Sequence, residues 1–243
     1  MTDLAARRAA THQSFYSLFP MHALAPGVVA SVVSAAPTRS LFNAVTYRGD
    51  AAALVPDLLE PLADGYAAAG VQAWTVWVQP GDEDVLRPPL ERAGHRLDGT
   101  PEAMGAVLAE LDLDGPDVGG PGRWDEMVAV NAAAYGVPVA ELDPMRLASA
   151  LRLYRADAGG VVLGVHDHEG DAGVTFVAAR PEGRGRGLVA ALLRQALREA
   201  SGRGCTTTTL ESTKLGRPVY ERIGFRALGV LGMWERRTTA TSG

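Results

Sequence analysis

The chain has 243 residues, of which 47% are hydrophobic and 21% are charged, a balance typical of folded globular proteins and not of disordered ones. Its net charge of −5 argues against a nucleic-acid-binding protein that works through overall charge, and its apolar runs are too short to span a bilayer. The single cysteine, Cys205, excludes an intramolecular disulfide and a cysteine-based zinc cluster, and without a signal-peptide core it favours the cytoplasm.

The clearest break in the chain is rich in glycine and proline. Residues 114–122 hold four glycines and two prolines around a single aliphatic side chain, which is typical of a linker because little of the segment can be buried. We therefore predict two domains, residues 1–113 and residues 123–243, joined by this linker. Each predicted domain has an ordinary size for a small folded unit.

The second predicted domain alternates helical and strand-like patterns. Its order is αα-βββ-αβ-αβ, which indicates an α/β or α+β layered fold. Apolar residues on one face mark the most regular helix, at residues 188–201. The predicted helices are 124–134, 143–150, 188–201 and a short one through Tyr220, and the predicted strands are 151–156, 161–166, 173–179, 205–211 and 225–235.

The most informative segment is the loop before this regular helix. Residues 180–189 read RPEGRGRGLV, and they place glycines and arginines where free backbone N–H groups and the helix dipole attract an anion. We therefore predict a phosphate or pyrophosphate ligand. The P-loop pattern is absent because no Gly-Lys-Ser/Thr occurs, and the dinucleotide pattern fails because its third glycine falls on Leu188 or Ala190.

At this loop the sequence resembles the GCN5-related N-acetyltransferase (GNAT) superfamily. The family pattern Arg/Gln-x-x-Gly-x-Gly/Ala is matched by residues 184–189, although Val189 stands where glycine or alanine is usual. A second family element, Tyr-x-x-x-Gly-Phe, is matched by residues 220–225. The resemblance implies an α/β (α+β) fold in which helices flank a mixed, mostly antiparallel sheet.

The resemblance also implies a co-substrate, acetyl-CoA, lying between the strand that ends at Ala179 and the strand that ends near Glu211. The pantetheine arm would pair with main-chain groups as an added strand does, and the pyrophosphate would meet the loop. The implied cofactor-binding residues are Val177, Ala178, Ala179, Arg184, Gly185, Arg186, Gly187, Leu188 and Val189.

Two residues are candidates for catalysis. Tyr220 matches the family's proton donor to the departing CoA thiolate; as an alternative, it is a core tyrosine packed under the last strand. Glu211 is a candidate general base that accepts the proton of the amine, although a carboxylate there also commonly caps a helix or pairs with an arginine. No metal is expected, because His166 and His168 have no evident third ligand.

The first predicted domain resembles a degenerate copy of the second. Residues 90–96 (LERAGHR) and 220–226 (YERIGFR) agree at four of seven positions with an offset of 130, and the order of the preceding elements also agrees. Where the second domain has its glycine-arginine loop, the first has residues 47–50 (YRGD), and Leu90 replaces Tyr220. The repeated pattern predicts two tandem GNAT-like lobes. Because the aspartate would repel a phosphate, we expect the first lobe to lack a CoA loop.

The function implied by the resemblance is acetyl transfer to a primary amine of a small molecule or peptide. The alternative is a non-catalytic CoA-binding or regulatory module that keeps the fold without turnover. Neither nucleic acid nor a membrane is expected as a partner, and a homodimer is left open.

Overall fold

The computed structural model describes residues 2–238, whose contacts divide into two compact units. The first unit comprises the chain up to Thr11 together with Glu102–Leu228, and we call it the loop unit because it contains residues 180–189. The second, the companion unit, comprises His12–Pro101 together with the chain from Gly229. These boundaries differ from the predicted division at the linker, because short segments of each predicted domain fold with the other.

Seven α-helices and thirteen β-strands lie in the described residues. The helices are α1 (Leu4–Tyr16), α2 (Val55–Ala68), α3 (Glu83–Arg92), α4 (Trp124–Tyr135), α5 (Val139–Leu142), α6 (Leu188–Gly202) and α7 (Arg217–Ile223). The strands are β1 (Met21–Ala25), β2 (Val28–Ser31), β3 (Ala44–Tyr47), β4 (Ala73–Val78), β5 (Arg96–Gly99), β6 (Glu102–Val107), β7 (Gly119–Pro121), β8 (Arg152–Ala156), β9 (Val161–His168), β10 (Asp171–Ala179), β11 (Thr207–Ser212), β12 (Arg226–Val230) and β13 (Gly232–Arg237).

The loop unit is built on a seven-stranded sheet in the order β12-β6-β11-β10-β9-β8-β7. β10 and β11 run parallel, whereas the pairs β11–β6, β10–β9, β9–β8 and β8–β7 are antiparallel. α6 packs on one face, and its apolar stripe of Leu192, Leu193, Ala196, Leu197 and Ala200 is fully buried in the core. The predicted mixed, mostly antiparallel sheet flanked by helices is confirmed.

The companion unit has a six-stranded sheet in the order β1-β2-β3-β4-β13-β5. Its only parallel pair among the described strands is β3–β4. Within each sheet one strand comes from a distant part of the chain, since β13 lies between β4 and β5 and β6 lies between β11 and β12. The predicted single strand 225–235 is therefore wrong: it is two strands in different sheets, divided at Leu231. The sequence of a segment can indicate that it forms a strand, but it does not identify the strand with which it pairs.

Part of the predicted linker is an edge strand. Residues 119–121 form β7, which pairs antiparallel with β8, and the main-chain N–H groups of Val118 and Gly119 donate to Gln195 of α6. Gly119 lies so close to β8 that a Cβ there would be 1.8 Å from the carbonyl oxygen of Arg155. The small residues that indicated a linker are needed for this close approach.

Replacing Gly119 by alanine should destabilise the loop unit. The added methyl group must displace β7 from β8, and over-packing of this kind costs about 1–3 kcal/mol. Gly120→Ala is the matched control, because nothing lies within 4 Å of its Cβ position. Urea unfolding should show a lower midpoint for Gly119→Ala alone, and equal midpoints for the two variants would contradict this account of β7.

One further prediction was wrong in detail. The predicted helix 143–150 is a short 3₁₀ helix at Asp143–Leu147, preceded by α5. Among the described residues, no helix is both long and apolar enough to cross a membrane.

Candidate functional site

The two parallel strands of the loop unit part from each other before they end. β10 pairs with β11 from Asp171–Thr207 to Val174–Leu210, but β10 continues to Ala179. Main-chain groups of residues 175–179 are therefore not paired with β11. We call this gap the fork, and it lies where the sequence predicted a site between the two strand ends.

An irregularity in β10 sets the shape of the fork. The β9–β10 register shifts between Thr175 and Ala178, and Phe176 has a φ of 51°, a conformation rare for an aromatic residue. The carbonyl oxygens of Phe176 and Val177 accept hydrogen bonds from Asn131 Nδ2 (3.3 Å) and the Tyr135 hydroxyl (3.2 Å), both on α4. Strain of this kind persists where surrounding contacts hold it, and it is frequent at functional sites.

The glycine-arginine loop leads from β10 into α6. Gly185 and Gly187 have φ values of 70° and 72°, and nothing lies within 4 Å of either Cβ position. Gly187 is the N-cap of α6 and supplies no side chain to it, so N–H groups of the first turn are available to an anion. Leu188 and Val189 pack against the hydrophobic core, so the unusual valine at 189 is used in packing.

The two arginines of this loop differ in their contacts. Arg184 donates from Nε to the carbonyl oxygen of Ala179 (3.1 Å) and from Nη2 to that of Ala134 (3.4 Å). Its side chain thus links the end of β10 to the end of α4. Arg186 is exposed, and no partner of its side chain is found within residues 2–238. Arg186 is therefore the arginine whose charge is available to a ligand.

Tyr220 lies on α7 and is 6% exposed. Its ring packs 5.8 Å from that of Phe225 and belongs to the core cluster of the loop unit. Burial raises the pKa of the Tyr220 hydroxyl, and the proximity of Tyr135 raises it further. The phenol is therefore neutral throughout the physiological range and carries a proton that it can donate.

Glu211 follows Leu210, the last residue of β11 paired with β10. Its Oε1 lies 2.9 Å from Nη1 of Arg8, which is on α1 within the loop unit. The arginine is 2% exposed and the glutamate 21%. The alternative considered from the sequence, pairing with an arginine, is what the structure shows for this side chain.

Sequence reasoning missed three residues that surround the fork: Arg8, Asn131 and Tyr135. Arg8 and Glu211 are 203 residues apart, and the sequence around one of them does not indicate that the other is its partner. Asn131 and Tyr135 are four residues apart on one side of α4, a spacing that marks a shared helix face. That spacing could have indicated a polar edge on this helix, but it could not have identified the carbonyl groups that accept from it.

The corresponding place in the companion unit is closed by a tyrosine. β3 and β4 pair in parallel at Ala44–Thr75 and Val45–Val76. The Tyr47 hydroxyl then donates to Asp82 Oδ2 (2.8 Å) and accepts the N–H of Gln79 (2.9 Å). Because Tyr47 is fully buried, its side chain joins the end of β3 to the segment after β4.

Histidines 166 and 168 lie on β9 with their rings stacked 6.1 Å apart. Burial lowers the pKa of His166, and the neighbouring His168 lowers it further. Within the described part of the chain, no group of three or more His, Cys, Asp or Glu side chains could hold a metal ion.

Comparison with known proteins identifies the fold family. Residues 130–232 match the family model of an acetyltransferase (GNAT) domain. That part of the chain is similar to the GNAT acetyltransferases. GNAT proteins are acyltransferases that act on amines and generally use acetyl-CoA. No curated protein is significantly similar to the chain in sequence.

Solved GNAT structures share the fold over most of the chain. A GCN5-related N-acetyltransferase from Kribbella flavida aligns over 100% of this chain and 98% of its own, with a TM-score of 0.71 and 16% identity. A GCN5-related N-acetyltransferase from Sphaerobacter thermophilus aligns over 88% of this chain and 78% of its own, with a TM-score of 0.58 and 16% identity. A tandem GNAT protein of the clavulanic acid biosynthesis pathway aligns over 88% and 79%, with a TM-score of 0.54 and 15% identity.

Proposed function

We propose that the protein is an acetyl-CoA-dependent N-acetyltransferase whose site is the fork of the loop unit. The observation that carries this proposal is the fork itself, opening beside the uncapped first turn of α6. Acetyl-CoA would supply an acetyl group activated as a thioester. The acceptor would be a primary amine of a small molecule or peptide.

The loop fits the pyrophosphate of CoA. Gly185 and Gly187 leave open space beside the backbone, and the amino end of α6 favours negative charge. We assign the pyrophosphate to Arg186 and to the main chain of residues 185–189. Arg184 holds the strand end in place through Ala179 and Ala134, and thus contributes indirectly.

The unpaired part of β10 fits the pantetheine arm. Residues 177–179 extend beyond the last β10–β11 pair, so an extended ligand can add there as a strand does. The carbonyl of Val177 accepts from Tyr135. A ligand that uses this oxygen must therefore share it with Tyr135 or displace the hydroxyl.

We assign Tyr220 the role of proton donor to the CoA thiolate. A free phenol has a pKa of about 10 and a thiol about 8.5, and burial moves the phenol higher. The same burial disfavours the CoA thiolate and raises its affinity for the proton, so the proton affinities of the phenol and the thiol remain matched. The neutral Tyr220 hydroxyl can therefore stabilise the thiolate by hydrogen bonding and protonate it.

We assign Glu211 to the acceptor side of the fork. Its carboxylate is partly exposed, and Glu211 directly follows the last residue of β11 that pairs with β10. There it can accept a hydrogen bond from the amine and receive its proton, directly or through water. The companion unit is assigned no CoA site, because Tyr47 occupies the place of a fork. We also propose a cytoplasmic location, since the buried Cys205 needs no oxidising compartment.

The test is release of free thiol from acetyl-CoA in the presence of a panel of primary amines. The proposal predicts amine-dependent thiol release with saturation in both substrates. Saturable acetyl-CoA binding without turnover on any amine would instead support the alternative, a non-catalytic CoA-binding or regulatory module.

A further inference from the structure

Arg8 is a deeply buried charged side chain that pairs with Glu211 beside the fork. It lies on α1, is 2% exposed, and its Nη1 is 2.9 Å from Glu211 Oε1. Nothing in the local sequence around Arg8, LAARRAA, distinguishes it from the solvent-exposed arginines of other helices. Its neighbour Arg7 is more exposed and donates to the main-chain oxygen of Glu169 (2.7 Å).

α1 is held tightly against the sheet at this place. A Cβ on Gly173 of β10 would lie 2.5 Å from Thr11 Cγ2, so only glycine allows the helix to come so close. Gly173 pairs with Thr209 of β11, two residues before Glu211. Since side chains two residues apart on a strand share a face, α1 covers the face of β11 on which Glu211 lies.

Stability alone does not explain a buried ion pair. Removing two charges from water costs about as much free energy as their attraction returns, and apolar replacements of the same volume are often no less stable. A buried arginine does, however, fix the orientation of a carboxylate, because its planar guanidinium donates in set directions. The partner fixed here is the one carboxylate that we place on the acceptor side of the fork.

We propose that Arg8 is a positioning residue that orients the Glu211 carboxylate toward the acceptor amine. This inference rests on the proposed function. An ionised carboxylate has about four lone-pair sites, so an arginine bound at Oε1 leaves sites for the amine N–H. As the amine nitrogen forms its bond to the acetyl carbon and the carbon–sulfur bond breaks, the amine proton passes to Glu211 and the Tyr220 proton to sulfur. Solvent exchange then returns both side chains to their starting states.

The experiment is a double-mutant cycle between Arg8→Met and Glu211→Gln, with Arg8→Lys as a conservative rescue. Each variant is assayed for amine-dependent thiol release, for acetyl-CoA affinity and for its unfolding midpoint. The double variant also removes the carboxylate charge, so it keeps the test valid if Arg8→Met folds poorly. We expect Arg8→Met to lower kcat/KM for the amine by about 30-fold, less than the roughly 10²–10⁴-fold that a positioned acid–base group contributes, because the carboxylate itself remains.

Coupling distinguishes positioning from a general structural role. In the Glu211→Gln background, Arg8→Met should lower kcat/KM less than about threefold, because contacting residues that act together are not additive. Arg8→Lys should recover part of the activity, and acetyl-CoA affinity should stay within about twofold throughout. Arg203→Met is the control: it breaks an ion pair with Asp167 (2.6 Å) at the other end of β9–β10 and should leave kcat/KM unchanged.

Two results would overturn the inference in distinguishable ways. An active wild-type protein in which the losses of the two single variants multiply would refute the role of Arg8 and leave the proposed function standing. A wild-type protein that binds acetyl-CoA but acetylates no amine would refute the proposed function, and the positioning role with it.

Discussion

Replacing Tyr220 by phenylalanine should lower kcat for amine acetylation by about 10²–10⁴-fold, the range that a positioned general acid contributes. The substitution removes one oxygen and keeps the ring that packs against Phe225. Acetyl-CoA affinity should therefore change little. Steady-state kinetics of thiol release, together with a binding titration, measure the two effects separately.

Tyr154→Phe is the matched control for this variant. Tyr154 is also a buried tyrosine of the loop unit, and its hydroxyl donates to Glu199 (2.9 Å) away from the fork. The Tyr154→Phe substitution should lower the free energy of unfolding and leave kcat unchanged. If Tyr220→Phe keeps wild-type kcat, Tyr220 is the core tyrosine of the alternative interpretation, and another group or water protonates the thiolate.

Removing both loop arginines, by Arg184→Ala with Arg186→Ala, should weaken acetyl-CoA binding about tenfold or more. Hydrogen bonds to charged groups contribute about 1.5–3 kcal/mol each, and a single such contact already accounts for tenfold. The contacts of the two arginines indicate different contributions to acetyl-CoA binding. Within residues 2–238 no partner of the Arg186 side chain is found, whereas Arg184 donates to the carbonyl groups of Ala179 and Ala134.

The single variants Arg184→Ala and Arg186→Ala should separate these two contributions to binding. The loss in Arg186→Ala should shrink at high salt, because an exposed charge is screened, whereas the loss in Arg184→Ala should depend little on salt. Arg226→Ala, which breaks an exposed pair with Glu110 in the same unit, should bind acetyl-CoA as the wild type does. Unchanged affinity in the double variant would refute the assignment of the loop.

The sequence was sufficient to predict the local structure of the candidate site where it depends on neighbouring residues. The loop at 180–189 is recognisable because glycines at 185 and 187 and the apolar stripe of α6 have short-range spacing. The fork was predicted from the same resemblance, and the end of β10–β11 pairing at Val174–Leu210 agrees with it. Local chemistry and periodicity thus determine where β10, the loop and α6 lie.

Features that depend on distant residues could not be predicted. β6 and β13 are short strands, and nothing in the sequence of either segment identifies the sheet that it joins. The contact of Arg8 with Glu211 and the bracing of Phe176 by Asn131 arise from packing of helices on the sheet. The side chain of Arg184 is a related case, because its position suits a phosphate while its contacts are with carbonyl oxygens.

Calorimetric titration of the full chain with acetyl-CoA tests the central claim most directly, since the claim is a single site in the fork of the loop unit. We expect one molecule bound per chain, with affinity reduced about tenfold or more by the double arginine variant and with unchanged stoichiometry. Two molecules per chain would show that the companion unit also binds, despite Tyr47. One bound molecule whose affinity is the same in the wild type and in the double arginine variant would place the site away from the loop and contradict the account.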